Sequence, residues 1–323
     1  MKPPPFEYHA PSTVDEVCAL LASLEDAKVL AGGQSLMPLL NFRLARPAHL
    51  VDINRIGGLD RIYERDGGVA VQALARQAAV EDSELVARVC PLLSAAVRLV
   101  AHRVIRNRGT VCGSIAHADP ASELPAVLLA LGGHVVARSK RGDRRIEAGD
   151  LFAGVFETSI APDELLVEAW FPKSPKPFAI LEESRRHGDF ALAGVVRAGD
   201  RLALFGVAPT PVLADAKDPA RGLQPSGDLE ATAEFRLHRQ HQARTHRRAV
   251  EQHRAAPADT VLAADVRAGQ AEVVAKIVRE QPPCIIRRAT VEAIDPHAAK
   301  ALSVRTRTRC SRNSGVASRS PLG

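Results

Sequence analysis

No two cysteines in this chain form a C-x-x-C pair. The five present, Cys18, Cys90, Cys112, Cys284 and Cys310, are scattered over 323 residues, so the sequence offers no ligand run for a zinc ribbon or an iron–sulfur cluster. Aromatic residues are scarce at 4%, with one Trp and two Tyr, and the cores must therefore be built from Ala, Val and Leu. No apolar run approaches the roughly twenty residues needed to cross a bilayer. The opening Met1-Lys2-Pro3-Pro4-Pro5-Phe6 lacks the apolar stretch of a secretory signal, and the expectation is a cytoplasmic chain without a membrane span. Two common phosphate-binding signatures are also missing. No G-x-G-x-x-G lies between a strand and a helix, and no glycine loop ends in Gly-Lys-Ser/Thr. Rossmann and P-loop chemistry are disfavoured on that ground.

Negative charge is not lacking, and the net charge is only +6. Arg and His crowd the last third, from Arg236 to Arg254 and again from Arg305 to Arg319. The first two hundred residues carry no basic patch interleaved with aromatics of the kind that binds single strands. The positive charge belongs to the tail, and no nucleic-acid partner is expected.

The apolar fraction of 46% with 25% charged residues is that of an ordinary soluble globular protein, and the length suggests two or three domains. Thr13 followed by Glu16 makes a capping box, and Val14, Val17, Cys18, Leu21 and Leu24 recur at helical spacing. Lys28 to Leu30 reads as a strand, Leu36 to Leu44 as a short helix, and Leu50 to Ile53 as a second strand. Arg61 to Glu64 and Val69 to Gln72 alternate across Asp66-Gly67, a hairpin signal. Helical stretches are predicted over Ala79 to Val89, Leu92 to Ala101 and Glu123 to Leu131, and a strand over Leu165 to Trp170. Pro172 to Pro177 reads as a stiff exposed linker. Three antiparallel strands are expected beyond it, at Phe178 to Leu181, Phe190 to Arg197 and Leu202 to Ala208. Leu229 to about Arg254 and Ala271 to Glu280 are helix-like.

Two glycine segments carry the chemistry: Ala31-Gly32-Gly33-Gln34-Ser35-Leu36, and Arg108-Gly109-Thr110-Val111-Cys112-Gly113-Ser114 running on through Ile115-Ala116-His117-Ala118-Asp119-Pro120. Each follows an apolar run and precedes a helix-like one. Backbone without side chains can approach a ligand closely and aim N–H groups at anionic oxygens. Two such loops, both rich in Ser, Thr and Gln, suit one long diphosphate ligand threaded between two subdomains, so a dinucleotide cofactor is indicated. The N–H groups of Gly32, Gly33, Gln34 and Ser35 with the Ser35 hydroxyl are candidates on one side, and Thr110, Gly113 and Ser114 on the other. A tight turn with a helix cap is the plainer reading of the first loop. Arg106 and Arg108 can offset phosphate charge or simply be solvated. Cys112 is either redox-active or a small neutral spacer, and the spacer is preferred. His117, Asp119 and Glu123 can serve acid–base chemistry, hydrogen bonds to ribose or ribityl hydroxyls, or, for Asp119-Pro120, an ordinary helix start. A metal site is the weakest of these readings.

Phe6 to Pro11, Ala31 to Pro38 and Leu50 to Asn54 resemble the FAD-binding medium subunit of molybdenum hydroxylases, the carbon monoxide dehydrogenase and xanthine dehydrogenase type of flavoprotein. Ile105 to Pro125 matches more closely still, and Arg185 to Ala193 resembles the opening of that family's C-terminal domain. The resemblance runs from residue 4 to about 235. It implies an α+β chain: a two-subdomain FAD-binding domain of the vanillyl-alcohol-oxidase (PCMH) type over 1–55 and 56–172, then a smaller α+β C-terminal domain over 178–256. It implies FAD as cofactor, held by Leu30, Ala31, Gly32, Gly33, Gln34, Ser35 and Leu36 and by Thr110, Gly113 and Ser114. Polar contacts are implied for His117, Asp119 and Glu123, and Leu165 or Leu166 is placed beside the flavin ring. The implied partners are a molybdopterin-binding large subunit, a small subunit with two 2Fe–2S clusters, and an electron acceptor such as NAD, a quinone or oxygen. The missing cysteine pairs suit that division of labour.

The tail departs from the pattern. His238, His241, His246 and His253 stand where a mostly apolar helix is expected, and residues 257–323 are read as a divergent, disordered basic extension. Two other readings stay open at this level: a stand-alone flavin oxidase or reductase of the same fold, and an assembly protein that keeps the scaffold without flavin.

Overall fold

The structure, a computed structural model, describes residues 2–215. The expected helices after Leu229 and the basic tail lie outside the described residues. The chain opens with β1 (Glu7–His9), α1 (Val14–Ser23), β2 (Ala27–Leu30), α2 (Leu36–Asn41) and β3 (His49–Asp52). β4 (Ile62–Arg65) and β5 (Gly68–Gln72) follow, then α3 (Gln77–Asp82), α4 (Glu84–Val89), α5 (Pro91–Leu99), α6 (Arg103–Arg106), α7 (Val111–His117) and α8 (Glu123–Leu131). Next come β6 (His134–Ser139), β7 (Gly142–Glu147), α9 (Ala148–Leu151), the short pair β8 (Phe152–Gly154) and β9 (Glu157–Thr158), and β10 (Leu165–Pro172). β11 (Phe178–Glu183), β12 (Ala193–Ala198), β13 (Arg201–Phe205) and β14 (Val212–Asp215) complete the described part.

Three main sheets sort along the chain. The first is parallel, in the order β1-β3-β2, as it must be when α1 and α2 carry the chain back between successive strands. The second is antiparallel, β4-β5-β10-β6-β7, and the third is the antiparallel meander β11-β12-β13-β14. β10 sits at the centre of its sheet with Leu165 to Ala169 all buried, which explains why its sequence is mostly apolar rather than alternating, with the buried Glu168 satisfied by Arg65 at 2.6 Å. The β4–β5 hairpin turns at Asp66 and Gly67, both at positive φ, as the sequence suggests.

The Thr13 hydroxyl accepts the Glu16 N–H at 3.2 Å and so caps α1 as expected. The Glu16 carboxylate reaches back one residue further than in the usual box, to the Ser12 N–H at 2.7 Å. Val17 and Leu21 of α1 then pack with Val51 and Ile53 below the first sheet and with Leu165 and Val167 of β10, so the first two sheets share one core. α8 is buried over its whole length, matching a helix that is apolar on every side.

Four local expectations are corrected. The predicted helix over Ala79 to Val89 breaks at Ser83, which ends α3 while its hydroxyl caps α4 through the Val86 N–H. The helix predicted to Leu44 ends at Asn41, because Arg43 turns into the left-handed region. The strand expected from Phe190 starts at Ala193, leaving Phe190 exposed. Pro172 to Pro177 is not free throughout. Ser174 is buried, its N–H donates to the Val89 carbonyl at 3.2 Å, and its hydroxyl accepts from the Leu92 N–H at 3.2 Å.

Candidate functional site

The two glycine segments, some seventy residues apart in sequence, touch. A Cβ built on Gly32 would overlap the Arg108 carbonyl oxygen and lie 2.8 Å from the Gly109 Cα. Only glycine permits that approach. Gly33 follows at φ +71°, a left-handed conformation that turns the chain from β2 into α2. Ala31 to Leu36 is half-buried, neither packed away nor loose on the surface. Ser35 occupies the N-cap position of α2 without spending its side chain on a capping bond.

A chain of polar groups braces the first loop and links it to the second. Tyr8 donates to Asp52 Oδ2 at 2.6 Å, and the Asn54 backbone N–H donates to Asp52 Oδ1 at 2.9 Å. Asn54 Nδ2 donates to the Ala31 carbonyl at 2.8 Å. Arg76 donates to Asn54 Oδ1 at 2.7 Å and to the Arg108 carbonyl at 2.8 Å. Partial burial raises the Asp52 carboxyl, but the bonds from Tyr8 and Asn54 outweigh it and hold the group below the usual carboxylate range. Arg76 is a cation that the sequence reading missed. Nothing in its local pattern sets it apart, although Asp52 and Asn54 lie in a segment already noted as family-like.

The second loop is pinned from below. Gln77 N–H donates to the Gly109 carbonyl at 2.8 Å, and a bridge joins Arg76 to Thr110. The Thr110 hydroxyl accepts the Gly113 N–H at 3.0 Å and caps α7. Thr110 is therefore buried and committed to the helix, whereas Gly113 and Ser114 are partly exposed on the first turn of α7. Gln77 Oε1 is a buried acceptor that finds no partner.

Several candidate residues take other places. Arg106 is buried, paired with Glu81 at 2.8 Å and bonded to the Val100 carbonyl at 2.9 Å, so it is structural rather than available to a phosphate. Arg108 is exposed. Cys112 donates to the Val71 carbonyl at 3.3 Å, and burial pushes its thiol far above the ordinary range; it is the inert spacer, not a redox group. The Leu165 side chain is only 2% exposed within the core shared by the first two sheets.

The second half of the motif forms a separate acidic cluster. His117 stacks on Phe156 with ring centroids 4.7 Å apart. Asp119 is buried and its Oδ1 accepts the Ala121 N–H at 2.9 Å. It does not cap the following helix, because Ser122 holds that position and α8 begins at Glu123. Glu123 is buried against Glu182 of β11. Desolvation first, then the proximity of Glu182 and Asp119, pushes the Glu123 carboxyl up to about 8, and burial pushes Glu182 up to about 7. Two carboxyl groups so placed do not both ionise readily near neutral pH. The sequence marks Glu123 as a candidate but not its pairing with Glu182, because Glu182 lies far along the chain in β11.

Two glycine loops in close backbone contact, braced by Arg76 and Asn54, make up the site. The profile of the family described as the FAD binding domain in molybdopterin dehydrogenase matches residues 4–174, and this chain belongs to that family. It is 49% identical over 197 residues to the 6-hydroxypseudooxynicotine dehydrogenase complex subunit alpha of Paenarthrobacter nicotinovorans, covering 60% of this chain and 67% of that one. It is 40% identical over 222 residues to the carbon monoxide dehydrogenase medium chain of Hydrogenophaga pseudoflava, covering 65% and 77%. Among solved structures, a carbon monoxide dehydrogenase from Hydrogenophaga pseudoflava superposes with a TM-score of 0.69 at 33% identity, over 87% of this chain and 96% of that one. Quinoline 2-oxidoreductase from Pseudomonas putida 86 gives 0.65 at 30% identity, over 87% and 99%. The chain is an FAD-binding medium subunit of the molybdenum-hydroxylase type of dehydrogenase, and no described helix is long and apolar enough to cross a membrane.

Proposed function

We propose that this chain is the electron-transferring subunit of a molybdenum hydroxylase, receiving electrons from the iron–sulfur clusters of a small subunit and delivering them to NAD, a quinone or oxygen. The observation that carries the reading is the contact between Gly32 and the Arg108-Gly109 backbone. It builds a side-chain-free cradle of the kind a dinucleotide diphosphate needs, and the donor set of Gly33, Gln34, Ser35 and the Ser114 hydroxyl fits it, with Gly113 keeping the backbone bare on the second side. FAD, when bound, supplies a redox centre able to take up electrons singly and pass them on. The residues of this chain do the positioning. The amides of Gly32 to Ser35 and the Ser35 hydroxyl offer donors to the diphosphate, flanked by Leu30, Ala31 and Leu36. Gly113 and Ser114 face it from the first turn of α7, where Thr110 sets the helix start. Arg76 fixes the spacing of the two loops and brings a positive charge beside them. His117, Asp119 and Glu123 are proposed as polar contacts further along the cofactor, with Glu123 a hydrogen-bond donor whenever it holds its proton. Leu165, part of the core shared by the first two sheets, is proposed beside the flavin ring as the resemblance implies.

The division into FAD-binding subdomains over 1–55 and 56–172, of the vanillyl-alcohol-oxidase type, and a C-terminal domain over 178–256 belongs to the same proposal. It is supported by the way the three sheets follow one another along the chain. Cytoplasmic placement and pairing with a molybdopterin-binding large subunit are inferred from the family.

Affinity isolation of the tagged full chain from its source tests the reading. The expected result is a complex with a molybdenum-bearing large chain and an iron–sulfur chain, with flavin absorbance on this subunit. Rapid flavin reduction of the isolated chain by an organic substrate without molybdenum would instead identify a stand-alone oxidase. Absence of flavin bands even after FAD addition would mark a flavin-free assembly protein.

A further inference from the structure

We propose that Glu7, His9 and His49 form a zinc-class divalent-cation site that clips the edge strand β1 to β3. The site arises directly from the sheet. β1 and β3 are parallel with Glu7 opposite His49, and the period of two along a strand puts Glu7 and His9 on one face. Tyr8 points to the other face, where its hydroxyl reaches Asp52.

Three donor atoms converge there. His9 Nε2 lies 3.2 Å from His49 Nδ1, and Glu7 Oε2 lies 3.4 Å from the same Nδ1. The three ligand atoms all fall within 4.8 Å of one another. Ligands bound tetrahedrally at about 2.0–2.1 Å are separated by about 3.3 Å, so two of the three spacings already have the edge length of a zinc tetrahedron. The Glu7 side chain is 74% exposed and can swing to shorten the third.

The donor set selects the ion. Two imidazoles and one carboxylate suit zinc and its borderline neighbours, whereas calcium and magnesium call for oxygen ligands. With three protein ligands and an exposed Glu7, a fourth position opens to water. Without a cation the arrangement is poorly satisfied, because His9 and Glu7 compete for the single Nδ1 of His49. A cation at the common point serves all three donors at once. Its structural effect is specific: β1 pairs over only three residues and on one side, so a ligand bond from each strand fastens an edge that backbone hydrogen bonds hold weakly.

The test uses the metal-stripped full chain, titrated with Zn²⁺ in competition with a chromophoric chelator, beside the variants H9Q/H49Q and E7Q. The chain has other histidines, so the readout is the difference between proteins. The wild type is expected to bind one more equivalent of Zn²⁺ than H9Q/H49Q. E7Q should weaken that equivalent by roughly tenfold or more, and Co²⁺ should give the visible spectrum of a four-coordinate site only when both histidines are present. Zn²⁺ should also raise the unfolding midpoint of the wild type more than that of the double variant. Equal stoichiometry and affinity in wild type and H9Q/H49Q would overturn the proposal and leave a plain hydrogen-bonded triad. If the double variant does not fold, single H9Q and the exposed E7Q carry the comparison, and unchanged zinc affinity in both overturns it equally.

Discussion

Gly32 and Gly109 meet backbone to backbone: a Cβ on the first would stand 2.8 Å from the Cα of the second and overlap the neighbouring carbonyl of Arg108. Neither obstacle is a flexible side chain, so Gly32→Ala must push the two loops apart. The expected outcome is a loss of FAD affinity of at least about tenfold, equivalent to about 1.4 kcal/mol, with the far-UV circular dichroism of the apoprotein preserved. Gly149→Ala is the control. Nothing lies within 4 Å of its Cβ position, and Ala is the better helix former. Titration of both apoproteins with FAD, followed by quenching of flavin fluorescence, checks the pair.

Arg76 spans the two loops by donating to Asn54 Oδ1 and to the Arg108 carbonyl. Arg76→Lys keeps the charge but loses the planar fork that serves two acceptors in different directions. It is expected to weaken FAD binding severalfold and to cost about 1 kcal/mol of stability for the lost hydrogen bond. Arg76→Ala should be worse on both counts. Equilibrium unfolding in urea and flavin retention on gel filtration read the two effects separately.

Glu123 and Glu182 give the fold a pH signature. Their folded-state values, about 8 and about 7, stand above those of exposed carboxyls, so between about 4.3 and the raised values the folded state binds more protons than the unfolded one. Their contribution therefore favours folding at the acid end of that window and is lost as the pH rises through it. Glu123→Gln holds the neutral form at every pH. It should raise the unfolding midpoint by a few degrees at pH 8.5 and change it little near pH 5, in melting curves of the apoprotein recorded across that range. A variant no more stable than wild type at pH 8.5 would refute the raised values of this carboxyl pair.

Cys112 separates a packing role from a redox role. Its thiol is buried against the Val71 carbonyl. Cys112→Ala should leave the flavin content unchanged and cost about 1 kcal/mol for the small cavity. Flavin stoichiometry and thermal melts of the purified variant check both parts. Loss of flavin would show that the spacer shapes the loop.

Much of the fold was legible locally. The capping residue Thr13, the Asp66-Gly67 turn and the apolar run of α8 each act through neighbours within a few residues, where periodicity and turn chemistry hold. Legibility ended where a polar side chain chose a distant partner. Ser83 reads as part of a helix until its hydroxyl is seen to cap the next one. Ser174 reads as linker until the ends of α4 and α5 are placed beside it. Arg106 resembles a phosphate ligand, yet it is buried and Glu81 claims it.

By itself the sequence determined the two glycine loops, the residues that mark the family, and the absence of cysteine ligands, because these depend on residue type and short-range order. Only the tertiary structure decided that the loops touch, that Arg76 and Asn54 brace them, that Leu165 belongs to the core, and that Glu123 meets Glu182. Each of these joins groups more than twenty residues apart. Such pairings are fixed by which sheets and helices share a core and by the cost of leaving a buried polar group alone, neither of which is written in any local stretch of the chain.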